Sequence, residues 1–114
     1  MLNQVVLVGR LTRNPEVSKT EANKHYSHIT LAVPRSFKNI NGEYDTDFID
    51  CVLWDSVAKS TSEYCHKGDI VGVKGRIQSD LVEREDGTKK YYINVVAERV
   101  TFLSSNNGAK KSDE

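Results

Sequence analysis

The chain has 114 residues, 38% of them hydrophobic and 28% charged, and its 16 basic and 16 acidic side chains leave a formal net charge of zero. That length carries one small core, and the composition excludes a disordered or membrane-embedded chain, since the longest apolar runs are only a few residues. Neutrality argues against coating nucleic acid by bulk electrostatics, although residues 1 to 40 hold six basic side chains against only Glu16 and Glu21.

Gln4 to Thr12 alternates Val5, Leu7, Gly9 and Leu11 against Val6, Val8, Arg10 and Thr12, the pattern of a strand, and Asn14-Pro15 ends it. Tyr26 to Phe37 predicts a second long strand, with Ile29, Leu31 and Val33 on one face and His28, Thr30 and Ala32 on the other. Pro34 donates no ladder hydrogen bond, so the strand is expected to be unpaired or bulged there. A polar connection from Lys38 to Asp45 contains the turn signal Asn41-Gly42 but is longer than a tight hairpin needs, which predicts a projecting β-loop suited to binding.

Phe48 to Trp54 is the third strand. Its period of two puts Phe48, Asp50, Val52 and Trp54 on one face and Ile49, Cys51 and Leu53 on the other. Only one face is needed for a core. The even-numbered face then holds two large aromatics away from it, which suits a surface on which bases stack; taken alone, the segment also allows Phe48 and Trp54 to be core residues.

From Asp55 to His66 the period changes to that of a helix, with Val57, Ala58, Thr61, Tyr64 and Cys65 on one stripe, Asp55 or Ser56 as N-cap and Gly68 as the stop. Ile70 to Gln78 is the fourth strand, Asp86-Gly87 turns the chain, and Tyr91 to Leu103 is the fifth. Residues 104–114 lack any apolar side chain larger than Ala109, which predicts a disordered tail after a single domain of residues 1–103. Three strands, one short helix, then two strands is the order of an all-β, five-stranded OB barrel, with the helix between strands 3 and 4. An open sandwich is the competing all-β arrangement and explains the helix less well.

The N-terminus lacks the charged start and apolar middle of a signal peptide, so a cytoplasmic protein is expected. Cys51 and Cys65 lack metal-ligand spacing, and a disulfide is not expected in that compartment. No ligand spacing recurs around His25, His28 and His66, so neither a metal nor another cofactor is expected. Catalysis would need a nucleophile beside a base, such as Cys65 beside His66, but adjacent helical residues diverge and no third group orients them. No enzyme is expected.

The chain resembles the bacterial single-stranded DNA-binding protein family over essentially its whole ordered length. The resemblance lies in Asn3 with Val5 to Thr12, Asn14-Pro15-Glu16, Ile29 to Val33 with Arg35 and Phe37, Thr46-Asp47-Phe48, Trp54, Tyr64 with Lys67-Gly68, Gly75-Arg76-Ile77, and Asp86-Gly87 ahead of Tyr92 and Val95-Val96-Ala97. It implies a homotetramer of OB-fold subunits that wraps single-stranded DNA without sequence preference, in the cytoplasm with the nucleoid, during replication, recombination, repair or transformation. The family's stacking positions fall on Phe37, Phe48 and Trp54, each able to contribute about 1 to 3 kcal/mol per stacked base. Arg10, Arg35, Lys38, Lys67, Lys74 and Arg76 are the matching phosphate partners, each otherwise an ordinary solvated charge.

Departures from the family pattern are Val82 at a commonly aromatic position, and Asp50 and Asp80 at commonly basic ones, which implies weaker or more salt-sensitive binding or a rerouted strand. The end Lys110-Lys111-Ser112-Asp113-Glu114 replaces the family's acidic Pro-Phe tip. It resembles a short paralogue, or a chain truncated before that tip, and recruitment of tip-dependent replication and repair enzymes is not expected. A primosome-type adaptor, using the same surface chiefly to hold another protein, is the alternative function.

Overall fold

Alternation in the first strand is realised in β1 (Val5–Leu11), where Gly9 and Leu11 are buried and Val6, Val8 and Arg10 are exposed. The computed structural model describes residues 1–105. It continues with β2 (Ser18–Lys19), β3 (His25–Lys38), β4 (Tyr44–Trp54), α1 (Asp55–Tyr64), β5 (Ile70–Glu83) and β6 (Lys89–Ser104).

The sheet closes on itself. β1 pairs with β5 from Val5↔Gly75 to Arg10↔Ile70, β5 with β6, β6 with β4, and β4 with β3. β3 then returns to β1 at Arg10↔Ala32 and Leu11↔Leu31. All these pairs are antiparallel except β4 with β6, which run parallel over Cys51↔Val95, Val52↔Val96 and Leu53↔Ala97 only. The result is the expected five-stranded OB barrel. β2 merely extends β3 at Ser18↔Tyr26 and Lys19↔His25, so α1 lies between the third and fourth barrel strands, or between the fourth and fifth when β2 is counted.

One apolar set fills the barrel: Leu11, Ile29, Leu31, Cys51, Leu53, Val71, Val73, Val95 and Ala97, with Ala58 of α1 and Cys65 just beyond it. These are the inward positions of each strand, which is why burial in β4 alternates from Asp47 to Cys51, before Val52 and Leu53 are both buried. Closure brings backbones very close at Gly75, where an added Cβ would collide with the Val96 carbonyl oxygen. Only glycine fits there.

Several local expectations are corrected. The N-cap of α1 is Trp54, with no side-chain capping bond, rather than Asp55 or Ser56, because β4 runs into the helix without a linker. Cys65 is the C-cap, its N–H donating to the Thr61 carbonyl oxygen at 2.9 Å, and Tyr64 is exposed rather than on the buried stripe. The β3–β4 connection is shorter than expected. Asn39 closes it by accepting from the N–H groups of Asn41 (2.8 Å) and Glu43 (3.0 Å), with Gly42 at φ 80°. Pro34 still faces Thr46, and the irregularity lies between it and Lys38. Ser104 ends β6, and the expected tail otherwise falls outside the described residues from 106 onward.

Candidate nucleic-acid interface

The outward rows of four strands form one curved surface. Along β4 it carries Phe48, Asp50, Val52 and Trp54; their partners on β3 are Ala32, Thr30, His28 and Tyr26. Val52 also pairs with Val96, and Val96 with Arg76, which sets His28, Val52, Val96 and Arg76 on one row across β3, β4, β6 and β5. Phe48 is 67% exposed and Trp54 39%, so neither belongs to the core. Six steps along the strand separate them by about 20 Å. Val52, between them, is buried by its neighbours.

Trp54 does not stand alone. The Tyr26 ring lies 5.7 Å from it at a 46° tilt, and the His28 ring meets Tyr26 edge-on at 5.4 Å. Tyr26 holds the indole in place while leaving part of its surface open. Sequence reasoning missed this partner, because period-two alternation puts Tyr26 on the outward face of β3 but says nothing of the register that sets it opposite Trp54. Phe37, 63% exposed, lies in the irregular stretch of the β3–β4 hairpin beyond Pro34, at a distance from the other two along the strands.

The basic candidates divide. Arg76 shares the aromatic face. Arg35, Lys38 and Phe37 ride on the hairpin, where Arg35 forms a two-point pair with Asp47 and the Lys38 ammonium sits 5.9 Å from the Tyr44 ring centroid. Arg10 donates from Nη1 to the Gly68 carbonyl oxygen at 2.7 Å, tying β1 to the loop before β5. Lys67 lies in that loop, its backbone N–H donating to Asn14 Oδ1 at 2.7 Å. Lys74 faces outward on β5 between Val6 of β1 and Arg99 of β6, on the flank away from β3 and β4. Tyr92 is a further exposed aromatic, to which the sequence reading gave no binding role, with the Lys90 ammonium 5.3 Å from its ring centroid.

Acidic side chains do lie on this surface. Asp50 is exposed and accepts from Thr30 Oγ1 at 2.8 Å, while Asp80, on the β5–β6 hairpin, accepts from Gln78 Nε2 at 3.1 Å. Val82 is half-exposed farther out on the same hairpin. The cysteines are buried: desolvation, then the Asp50 carboxylate, push the Cys51 thiol up to about 11, and desolvation, then Asp69, raise that of Cys65. His66 Nδ1 lies 3.8 Å from Asp69 Oδ2, and the raised pKa of the buried Cys65 thiol beside it is the opposite of what an activated nucleophile needs. Among the described residues no cluster of three His, Cys, Asp or Glu side chains is arranged to hold a metal, and no helix is long and apolar enough to cross a membrane.

A profile of the single-strand binding protein family matches residues 2–103. The chain is 46% identical over 113 residues to Single-stranded DNA-binding protein B of Bacillus subtilis (strain 168), covering 99% of this chain and 100% of that protein. It is 46% identical over 106 residues to Single-stranded DNA-binding protein 1 of Lactococcus lactis subsp. lactis (strain IL1403), covering 93% of this chain and 71% of that one. Over 114 residues it is 40% identical to Single-stranded DNA-binding protein 3 of Streptococcus agalactiae serotype V (strain ATCC BAA-611 / 2603 V/R), covering all of this chain and 83% of that protein. A closed barrel of this topology, an outward aromatic face and these matches together establish that the chain belongs to the single-strand binding protein family.

Proposed function

We propose that this protein binds and protects single-stranded DNA without catalysis and largely without regard to sequence, in replication, recombination, repair or transformation. The observation that carries the reading is the exposure of Phe48 and Trp54 on one continuous sheet face, in a chain of this family. Every base has a π-face, so stacking tolerates any sequence. Duplex DNA hides those faces. Arg76 on the same surface, with Arg35 and Lys38 on the hairpin, supplies phosphate partners; Phe37 is the third stacking residue, and Arg10, Lys67 and Lys74 give longer-range positive potential.

The working assembly is a homotetramer. Exposed Val6 and Val8 on β1, and Ile77, Leu81, Tyr91 and Ile93 on the β5–β6 hairpin, are apolar surface that contacts between subunits would cover. The protein acts in the cytoplasm, at the nucleoid.

The test is competition. A labelled oligothymidylate bound to the protein should be displaced by unlabelled single strand and hardly at all by the same mass of duplex. Equal displacement by duplex refutes the stacking reading. No binding of either would leave the adaptor alternative, which the acids Asp50 and Asp80 on the same surface favour.

A further inference from the structure

β4 and β6 pair over only three residues, beyond which β5 and β6 continue together as a two-stranded ribbon as far as Glu83↔Lys89. Its two faces differ. The row that prolongs the barrel interior beyond Ile77↔Val95 carries Ile93, Leu81 and Tyr91, the apolar surface assigned above to contacts between subunits. The other row prolongs the outward surface beyond Arg76↔Val96, with the pairs Gln78↔Asn94, Asp80↔Tyr92 and Val82↔Lys90.

This outward row joins the aromatic face directly. Gln78, Asp80 and Asn94 line a cleft of about 290 Å³ together with Trp54 and Tyr26. Tyr92 lies across the ribbon from Asp80 and two residues along β6 from Asn94, so it is the next side chain on from that cleft, about 7 Å farther along the strand. It is the one aromatic of its row.

Tyr92 and Lys90 together hold the two groups that a nucleotide engages. The Lys90 ammonium sits over the ring, 5.3 Å from its centroid, and Tyr92 is still 43% exposed, so ring surface is left for a base. A ring takes a base of any identity, and an ammonium meets a phosphate. Lys90 also offsets the Asp80 carboxylate on the facing strand, which would repel that phosphate.

We propose that Tyr92 and Lys90 form a further nucleotide-binding station, where a base stacks on the Tyr92 ring and its phosphate meets Lys90, so that the bound strand runs from the Trp54 cleft out along the ribbon. The inference rests on Trp54 acting as a stacking platform. It adds a position to the path and leaves the binding sequence-tolerant.

Oligothymidylate affinities of the intact chain and its variants test the station. Tyr92→Leu keeps apolar bulk without a ring and should weaken binding about fivefold or more, whereas Tyr92→Phe keeps the ring and should stay within about twofold of the wild type. Lys90→Gln should flatten the slope of log K against log salt by about 0.7. Wild-type affinity in Tyr92→Leu, or equal losses in the Leu and Phe variants, overturns the stacking at Tyr92; an unchanged slope in Lys90→Gln overturns the phosphate contact. A second measurement needs no variant. Tetranitromethane should nitrate Tyr92 in the free protein and not at saturating oligothymidylate, read by tandem mass spectrometry, while the exposed Tyr64 of α1 reacts in both states. Equal nitration of Tyr92 with and without DNA overturns the station. Failure of oligothymidylate to bind the wild type at all overturns the Trp54 reading instead.

Discussion

Arg35 grips Asp47 at two points, Nε 3.1 Å from Oδ2 and Nη2 2.8 Å from Oδ1, while its Nη1 lies 3.7 Å from Asp45 Oδ2. This is the fork geometry a guanidinium uses on a phosphate. The β3–β4 hairpin therefore carries its own counter-ion, and a DNA phosphate would compete with Asp47 for the fork of Arg35. The hydrogen bond from Arg35, ahead of its charge, holds the Asp47 carboxyl below the ordinary carboxylate range, and the same pairing raises Arg35.

Asp47→Asn should free Arg35. Single-strand affinity at low salt should rise about two- to fivefold, in line with the loss of one exposed ion pair, and the slope of log K against log salt should steepen by about 0.7. Because the carboxyl is depressed, the wild-type pair stays closed as pH falls through the ordinary carboxylate range and opens only below it. Affinity should accordingly show no step from this pair between about pH 8 and pH 5. Unchanged affinity and slope in the variant would mean that Arg35 takes no part in binding.

Gly75 closes the barrel, and its missing Cβ is what allows β5 to lie against Val96. Gly75→Ala should destabilise by about 3 kcal/mol or more, since backbone rather than a flexible side chain must move. Gly72→Ala is the control. A Cβ there meets Leu103 Cδ1 at 3.6 Å, ordinary contact, and chemical denaturation should find it much closer to the wild type.

Thr61 Oγ1 and Ser27 Oγ are buried without a hydrogen-bond partner among the described residues. An unpaired buried hydroxyl costs about 1 to 3 kcal/mol. Thr61→Val replaces it with a methyl group of similar shape, so urea unfolding should show a gain of about 1 kcal/mol. A loss of stability would mean that the hydroxyl has a partner, such as a bound water.

Burial that raises the Cys51 thiol to about 11 makes it both unreactive and a source of alkaline instability. Iodoacetamide at neutral pH should label neither cysteine in the folded protein and both after unfolding, read by intact mass. The unfolded thiol ionises near pH 8.5, so between there and about 11 the unfolded chain sheds a proton that the folded one keeps. Stability should fall as pH rises through that window. Cys51→Ala should flatten this part of the pH profile, whatever its cost at neutral pH.

How far the sequence reached depends on what each residue reports. Ile49, Cys51 and Leu53 against Phe48, Asp50 and Trp54 are legible because a strand with one buried face must alternate, and α1 betrays itself by a change of period. The outer half of the β5–β6 ribbon, from Ser79 to Glu83 and back from Lys89, was missed because it leaves the barrel and has no core face to pattern its side chains. The pairings of Tyr26 with Trp54, Arg35 with Asp47 and Arg10 with the Gly68 carbonyl depend on cross-strand register and loop placement, to which alternation is blind. Thus the outward placement of Phe48 and Trp54 could be named from the sequence, whereas the state of the arginines around them could not.

Trp54 is the only tryptophan in the chain, so its emission reports directly on the surface at the centre of this account. Titration of the intact protein with oligothymidylate should quench that emission to a saturable limit, duplex DNA should quench it far less, and Trp54→Ala should weaken binding by about 1 to 3 kcal/mol with the fold intact. Unchanged emission at saturating single strand, or wild-type affinity in the variant, would contradict the account, because bases would then not be stacking on the one exposed indole.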